Sequence, residues 1–364
     1  MTLATAAPLA RPCVVCIPAR NEEERLPILL ASLAGQEGFA AEAPLRVLIL
    51  ANNCTDGTVP AIRALEDAGA LASLTLRVIE AALEGAEAHV GTARRMALDA
   101  GAAWLEAEGA PDGILLTTDA DARLPAAWVA ANLRALRAAD VVGGRLVIDA
   151  DGAADPRLAE LHARIERYWA GVRRLEDILD PPPHDPAPRH GDHTGASLAV
   201  PVALYRAVGG LPPLPCGEDN ALVSLLRESG ARLRHCPDVR VMVSARHQGR
   251  VSGGMATEMA RRARVLDGEP YLLPEAAHWR SLIQRRAALR RAFHLVGSAR
   301  AEACARLGLG PDACAALETC PNDIAFVERA DRILESRSPP ARECPLDRAL
   351  ADLDALALSL REAA

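Results

Sequence analysis

Between residues 13 and 148, short apolar runs of β type alternate with helix-patterned stretches, and that alternation leaves few folds open. Cys13 to Ile17 predicts a strand, and Glu22 to Ala34 a helix with Leu26, Leu29, Leu30 and Leu33 on one face. Leu45 to Leu50 predicts a second strand and Val59 to Ala68 a second helix; Thr75 to Ile79 predicts a third strand. His89 to Arg95 then leads into a helix through Ala107, and an apolar run beginning at Ile114 predicts a fourth strand. Strands joined in succession by helices run parallel with right-handed crossovers, so the expected fold class is α/β, a Rossmann-like, mostly parallel sheet flanked by helices. A chain of 364 residues can fill such a domain and carry more besides. Half of the residues are hydrophobic but only 3% are aromatic, so its core has to be built mainly from Ala, Val and Leu.

Open α/β sheets bind ligands at the carboxyl ends of their strands, which puts the interest in the loops. The first strand ends in Pro18-Ala19-Arg20-Asn21, followed by Glu22 and Glu23, residues that equally suit a helix cap with acids in its first turn. The second ends in Ala51-Asn52-Asn53-Cys54-Thr55-Asp56-Gly57-Thr58. The fourth ends abruptly in Asp119-Ala120-Asp121. Carboxylates at that spacing suit Mg²⁺ or Mn²⁺, and Mg²⁺ takes one or two protein carboxylates and fills its shell with water and phosphate oxygens. A diphosphate is therefore the expected ligand, although a turn or helix cap would use the same residues. Further on, Gly217-Glu218-Asp219 precedes an amphipathic run through Leu222, Leu225 and Leu226, where acids are favourable on helix-dipole grounds alone.

These loops, in this order, resemble a known family. Ile17-Pro18-Ala19-Arg20-Asn21-Glu22-Glu23 is similar to the opening motif of family 2 glycosyltransferases, enzymes of the glycosyltransferase A fold. Asn52 to Thr58 resembles their second loop, Gly91 to Ala100 their third, and Asp119-Ala120-Asp121 their metal-binding Asp-x-Asp. The likeness continues at Gly195 to Val200, Gly209-Gly210-Leu211 and Gly217-Glu218-Asp219-Asn220, covering residues 13 to 255, two thirds of the chain. It implies a metal-dependent glycosyltransferase of hexosyl-transfer type that moves a sugar from a nucleotide diphosphate sugar to an unidentified acceptor hydroxyl, with inversion as the default. Pro18, Ala19, Arg20, Asn21, Glu22, Asn52, Asp56, Arg94, Asp119, Arg246 and Arg250 are then the expected nucleotide-sugar contacts, Arg246 and Arg250 because guanidinium forks match phosphate oxygens and Arg94 as a further positive charge at the departing diphosphate. Asp119 and Asp121, with His247, are the expected ligands of Mg²⁺ or Mn²⁺; Asp219 is the expected catalytic base, and Glu218 binds or orients the acceptor. A ligating His247 would also bring the chain closer to retaining enzymes of the fold. The second loop departs from the family, which often has acids where Ala51 and Asn52 stand; an amide both donates and accepts, so base preference stays open. A nucleotidyltransferase forming a nucleotide sugar is the alternative, although Pro18 to Asn21 lacks the usual Gly-rich loop, and a non-catalytic nucleotide-sugar-binding protein is another.

The remaining sequence sets the boundaries. Residues 1–12 read as a tail, and residues 13–254 as the transferase domain, with a nucleotide-sugar half at 13–148 and an acceptor-side half at 149–254. Pro125 to Ala138 predicts a helix, Val141 to Ile148 a strand, and Leu158 to Leu179 a helix bearing Tyr168 and Trp169, whose expected use is core packing, with a sugar platform as the alternative. The Pro- and His-rich stretch 180–193 excludes regular structure and reads as a flexible cover over the acceptor side. Arg232 to Val243 predicts another strand, and residues 255–364 a helical extension. That extension holds a five-arginine stretch, Arg280 to Arg291, expected to be a solvated face, with contact to a peripheral membrane surface or a phosphorylated acceptor as the alternative. A net charge of −7 argues against a nucleic-acid partner. The chain contains no lysine, so its arginines carry less information about anion binding than usual. No run has the length of a membrane-spanning helix and Met1 to Pro12 lacks the pattern of a signal peptide, which reads as cytoplasmic; the extension leaves room for a homodimer. The nine cysteines follow no disulfide framework, and Cys13-Val14-Val15-Cys16 reads as part of a buried strand.

Overall fold

The computed structural model describes residues 11–149, 155–244, 255–337 and 339–362. Seven strands form one sheet: β1 (Cys13–Ala19), β2 (Leu45–Asn52), β3 (Leu74–Ala81), β4 (Ile114–Thr117), β5 (Val141–Asp149), β6 (Leu198–Pro201) and β7 (Leu233–Ser244), in the order β3-β2-β1-β4-β6-β5-β7. The pairs β1/β2, β2/β3, β1/β4 and β5/β7 are parallel, whereas β6 runs antiparallel to both β4 and β5. The expected mostly parallel sheet is therefore present. The reversed strand β6, only four residues long, had no strand signature in the sequence. Its helices are α1 (Leu26–Ala34), α2 (Thr58–Asp67), α3 (Val90–Ala107), α4 (Trp128–Ala135), α5 (Pro156–Leu179), α6 (Val202–Ala207) and α7 (Glu218–Glu228). The extension adds α8 (Met255–Leu266), α9 (Ala276–Phe293), α10 (Gly297–Arg306), α11 (Pro311–Leu317), α12 (Asp323–Glu335) and α13 (Leu346–Glu362), with a small antiparallel pair β8 (Leu272–Pro274) and β9 (Glu343–Pro345).

Backbone contacts divide the chain into two compact units. The first comprises residues 1–151, 188–223 and 233–257, and the second residues 152–187, 224–232 and 258–364. Residues 152–187 and 224–232, assigned from sequence to the acceptor-side half, thus group with the extension.

In the first unit β1 is buried along its whole length and Leu26, Leu29, Leu30 and Leu33 of α1 have no exposure, each worth roughly 1.5–3 kcal/mol of burial. Cys13 and Cys16 sit three apart on β1, so they face opposite sides of the sheet and cannot share a ligand. Burial pushes the Cys13 thiol up to about 12 and raises that of Cys16 as well. Helix α1 starts later than the predicted Glu22: residues 23–25 form a turn, Leu26 N–H reaches the Glu22 carbonyl at 2.9 Å, and Pro27 has no N–H with which to continue that ladder. On β5, a Cβ on Gly143 would lie 2.4 Å from the Asp192 carbonyl oxygen and one on Gly144 2.1 Å from Ser197 Oγ, so these glycines let the 192–197 segment lie against the strand.

Two apolar clusters lie among the described residues of the second unit. One gathers Tyr168, Leu175, Tyr271, Ile283 and Leu353, and Tyr168 is fully buried, its hydroxyl donating to the Pro274 carbonyl at 2.7 Å and accepting from Trp279 Nε1 at 2.6 Å. This is core packing, and no sugar can rest on that ring. The other cluster centres on Phe326, Leu289 and Leu317. Arginines of α9 are largely committed: Arg285 and Arg286 both reach Asp331, at 2.9 and 2.5 Å, and Arg290 pairs with Asp180 and Asp323. The arginine stretch is therefore stitched into its own unit, with only Arg280 and Arg291 exposed. Among the described residues no helix is long and apolar enough to cross a membrane.

One buried polar contact offers a test of the sheet's packing. Trp128 is 1% exposed and its Nε1–H donates to the fully buried Ser197 Oγ at 2.9 Å. Trp128→Phe strands that hydroxyl, and we expect a loss of about 1–3 kcal/mol in urea unfolding, with the penalty of Ser197→Ala largely absent in the double variant.

Candidate functional site

The loops after β1 and β2 interlock. Asn21 sits at φ 52° and Asn53 at φ 49°, in the left-handed region that Asn tolerates better than most residues. Asn21 Oδ1 accepts from the Thr55 N–H at 2.8 Å, Glu22 N–H donates to Thr58 Oγ1 at 2.8 Å, and Glu23 Oε2 accepts from Gly57 N–H at 2.7 Å. Asp56 accepts from Glu23 N–H at 3.2 Å and from the backbone N–H and hydroxyl of Thr58 at 3.0 and 2.5 Å, opening α2. Partial burial opposes charge on Asp56, but these hydrogen bonds outweigh it and hold the carboxyl below its usual 3.8. Asn53 grips the backbone of Leu83 in both directions, Nδ2 donating to its carbonyl at 2.9 Å and Oδ1 accepting from its N–H at 3.0 Å, which ties down the chain after β3. Asn53, Glu23 and Thr55 were not among the expected site residues, although all three lie within the two loop motifs at 17–23 and 52–58. Pro18 and Ala19 close β1 as buried strand residues, Asn52 ends β2 at 4% exposure, and Arg20 is exposed.

Arg94, on the first turns of α3, organises the other half of the site. It is 4% exposed, and its guanidinium donates to Glu218 Oε1 at 3.0 Å, Thr117 Oγ1 at 3.0 Å, the Gly195 carbonyl at 2.9 Å and Asp119 Oδ1 at 2.7 Å. Burial alone would lower its pKa, but the charges of Asp119 and Glu218, with Asp219 beyond them, push it up, so it stays charged. Gly195 is required to be small: a Cβ there would fall 2.4 Å from the Arg94 guanidinium carbon. The same glycine's N–H donates to Asp219 Oδ2 at 2.8 Å, and Asp219 Oδ1 accepts from Asn220 N–H at 2.7 Å. Glu218 is 5% exposed, while Asp219 is only partly covered.

The loop carrying Asp119 and Asp121 is fastened beyond its acids as well. Leu124 N–H donates to Ser32 Oγ at 3.3 Å, buried Gln36 donates to the Pro125 carbonyl at 2.8 Å and accepts from Val129 N–H at 3.0 Å, and Arg123 exchanges two backbone bonds of 2.9 Å with Met242 of β7. Arg246, His247 and Arg250 lie outside the described residues. The stretch read as a flexible cover is anchored at its end: His190, 5% exposed, accepts at Nδ1 from Asp192 N–H and faces the Cys236 carbonyl with Nε2 at 3.1 Å, while Asp192 Oδ2 accepts from Leu146 N–H at 2.9 Å. Both His190 nitrogens are thereby committed to backbone.

The fold defines a glycosyltransferase A-like core. Residues 14–183 match the model of Glycosyl transferase family 2, and the chain therefore carries a domain of that family over this stretch. No curated protein sequence matches the chain. Among solved structures, that of S. aureus TarS residues 1–349 in complex with UDP-GlcNAc shares 16% identity, aligned over 90% of this chain and 92% of that one with a TM-score of 0.46. A mannosyltransferase from Pyrobaculum calidifontis, in complex with GDP-Man and Mn²⁺, shares 16% identity over 92% of this chain and 90% of that one at a TM-score of 0.44. Against a longer S. aureus TarS structure, at 18% identity and a TM-score of 0.44, 79% of this chain aligns and spans 44% of that one.

The loop lock carries a pH signature. Because the folded Asp56 value is depressed, its stabilisation is present above the unfolded value of 3.8 and is lost as pH falls through the lower folded value. Asp56→Ala should cost about 1 kcal/mol at neutral pH, as loss of a helix cap does, and the gap to wild type in thermal melts should close below about pH 4.

Proposed function

We propose that this chain transfers a sugar from a nucleotide diphosphate sugar to an acceptor hydroxyl, with inversion at the anomeric carbon. One observation carries the reading: a single buried guanidinium holds Asp119 of the Asp-x-Asp loop and Glu218, the neighbour of Asp219, at 2.7 and 3.0 Å. A carboxylate suited to the donor side and the residue next to a carboxylate suited to deprotonating an acceptor thus meet on one side chain at the sheet's carboxyl edge, and Asp219 itself is held by the N–H of Gly195, whose carbonyl the same guanidinium grips.

In this reading the interlocked loops at 19–23 and 52–58 receive the nucleotide, with Asn52 able both to donate to and to accept from a base. The carboxylate oxygens of Asp119 and Asp121 are the right chemistry for Mg²⁺ or Mn²⁺. Asp119 is 37% exposed and already spends one oxygen on Arg94, and no group of three or more His, Cys, Asp or Glu among the described residues is arranged to hold a metal. A cation here would draw its other ligands from diphosphate and water, the habit of Mg²⁺. When bound, it would supply positive charge to the departing diphosphate. His247 remains the candidate further ligand. Arg246 and Arg250 remain candidate phosphate contacts. Asp219, oriented by Gly195 N–H and partly open, takes the acceptor proton as the sugar carbon acquires oxocarbenium character.

Release of nucleoside diphosphate from a panel of nucleotide sugars, followed with Mn²⁺ present and after chelation, tests the reading. Asp219→Asn is expected to lower kcat by about 10²–10⁴ with donor affinity little changed. Asp121→Ala is expected to weaken the response to Mn²⁺ and to slow turnover. Full activity in both variants would overturn the mechanism, and a product that keeps the donor's anomeric configuration, read by NMR, would overturn inversion.

A further inference from the structure

Arg94 was expected to touch the donor diphosphate, but its surroundings give it another task. Four of its hydrogen bonds go to protein: Nε to Glu218, one terminal nitrogen to both Thr117 and the Gly195 carbonyl, and the other to Asp119. A guanidinium has five N–H donors, so at most one is left for anything else. With 5% of its side chain exposed, it has almost no surface to offer a ligand. Its partners come from four places in the chain: the end of β4, the acidic loop, the loop before β6 and the start of α7. Gly195 closes the circuit, since its carbonyl accepts from Arg94 while its N–H donates to Asp219.

We propose that Arg94 is a positioning residue that sets the spacing between the donor-side carboxylate Asp119 and the acceptor-side pair Glu218 and Asp219, and that it is not itself a ligand of the diphosphate. This rests on the transferase reading above. The planar fork is what allows it: its nitrogens donate in fixed, divergent directions, so moving one carboxylate moves the frame of the other. A lysine would keep the charge, but as a point donor it could not hold all four partners. Glu218 follows in the same logic as the buried counter-charge of Arg94, acting on Asp219 through it and through the chain.

The experiment compares Arg94→Lys and Gly195→Ala with wild type, the second variant displacing the guanidinium with a methyl group while leaving every charge in place. Donor affinity is measured by calorimetry with Mn²⁺, kcat and acceptor KM by nucleoside diphosphate release, and folding by near-ultraviolet circular dichroism. We expect kcat to fall about 10- to 100-fold in both, as misplacement near the chemistry does, with donor Kd within about threefold of wild type. A diphosphate ligand would instead lose donor affinity in step with kcat, and that result, or unchanged kcat in both variants, overturns the positioning role. Guanidinium ion added to Arg94→Ala should restore part of kcat, which a general loss of fold would not permit. A second arm needs no activity. In the unliganded protein the Tm losses of Asp119→Asn and Glu218→Gln should be non-additive, and become additive in an Arg94→Met background. Additive losses with Arg94 present overturn the shared linkage. Absence of turnover by wild type with every nucleotide sugar would sink the transferase reading instead, and leaves this second arm to decide the linkage by itself.

Discussion

A buried charge has to be neutralised where it stands, and the site is built around that requirement at Arg94. The guanidinium and Glu218 are both almost wholly withdrawn from water, at 5% and 6% side-chain exposure. Removing one member of such a buried pair typically costs about 3–5 kcal/mol, because the other is left charged and alone. Asp119, at 37% exposure, is held more weakly in energy but just as definitely in direction. Once Arg94 is placed by α3, the end of β4, the turn at Gly195 and the first turn of α7 have little freedom left. The antiparallel strand β6 fits this arrangement. It starts at Leu198, three residues after Gly195, and its pairing with β4 holds that turn beside the end of the strand that leads into the acidic loop.

The opposite rim uses small polar groups rather than charge pairs. Asn21, Glu23, Asp56 and Thr58 satisfy one another's backbone donors across two loops, and Asn53 does the same for the chain after β3. Local bonds of this kind favour turns over helix, and α1 begins only at Leu26, the first residue of its apolar face. A rim held so is preorganised before any ligand arrives, so a ligand need not spend binding energy ordering it.

Much of this was legible in the sequence because it follows from periodicity. The strands β1 to β5 and β7, the leucine face of α1 and the polar loops at strand ends all come from patterns of apolar residues and breakers. Strand β6 was not legible: although as long as β4, it runs directly into helix α6 within one apolar stretch, Leu198 to Tyr205, so the pattern does not separate strand from helix. The role of Arg94 was invisible for a different reason: a motif shows that a guanidinium is near the site, but only burial shows whether its donors are spent. The same holds for Glu218, whose burial rather than its place beside Asp219 decides what it can reach. The two cysteines of β1 show the converse, because alternation of side chains along a strand already separates residues three apart, and the structure only adds that both are buried.

The absence of lysine raises the question of which arginines are there for chemistry and which for composition. Geometry separates them. Arg157, at 69% exposure, pairs with a neighbour two residues away, Asp155, and a lysine could meet the same need. Arg290 reaches Asp180 and Asp323 from one fork while half-buried, which an ammonium could satisfy only in part. Arg94 is the extreme: charged, enclosed, and bonded to four groups in directions set by a plane. A composition without lysine would supply an arginine at all three positions, but only at Arg94 does the surrounding structure, down to a glycine whose missing Cβ makes room for the guanidinium, take a shape that no other side chain fits.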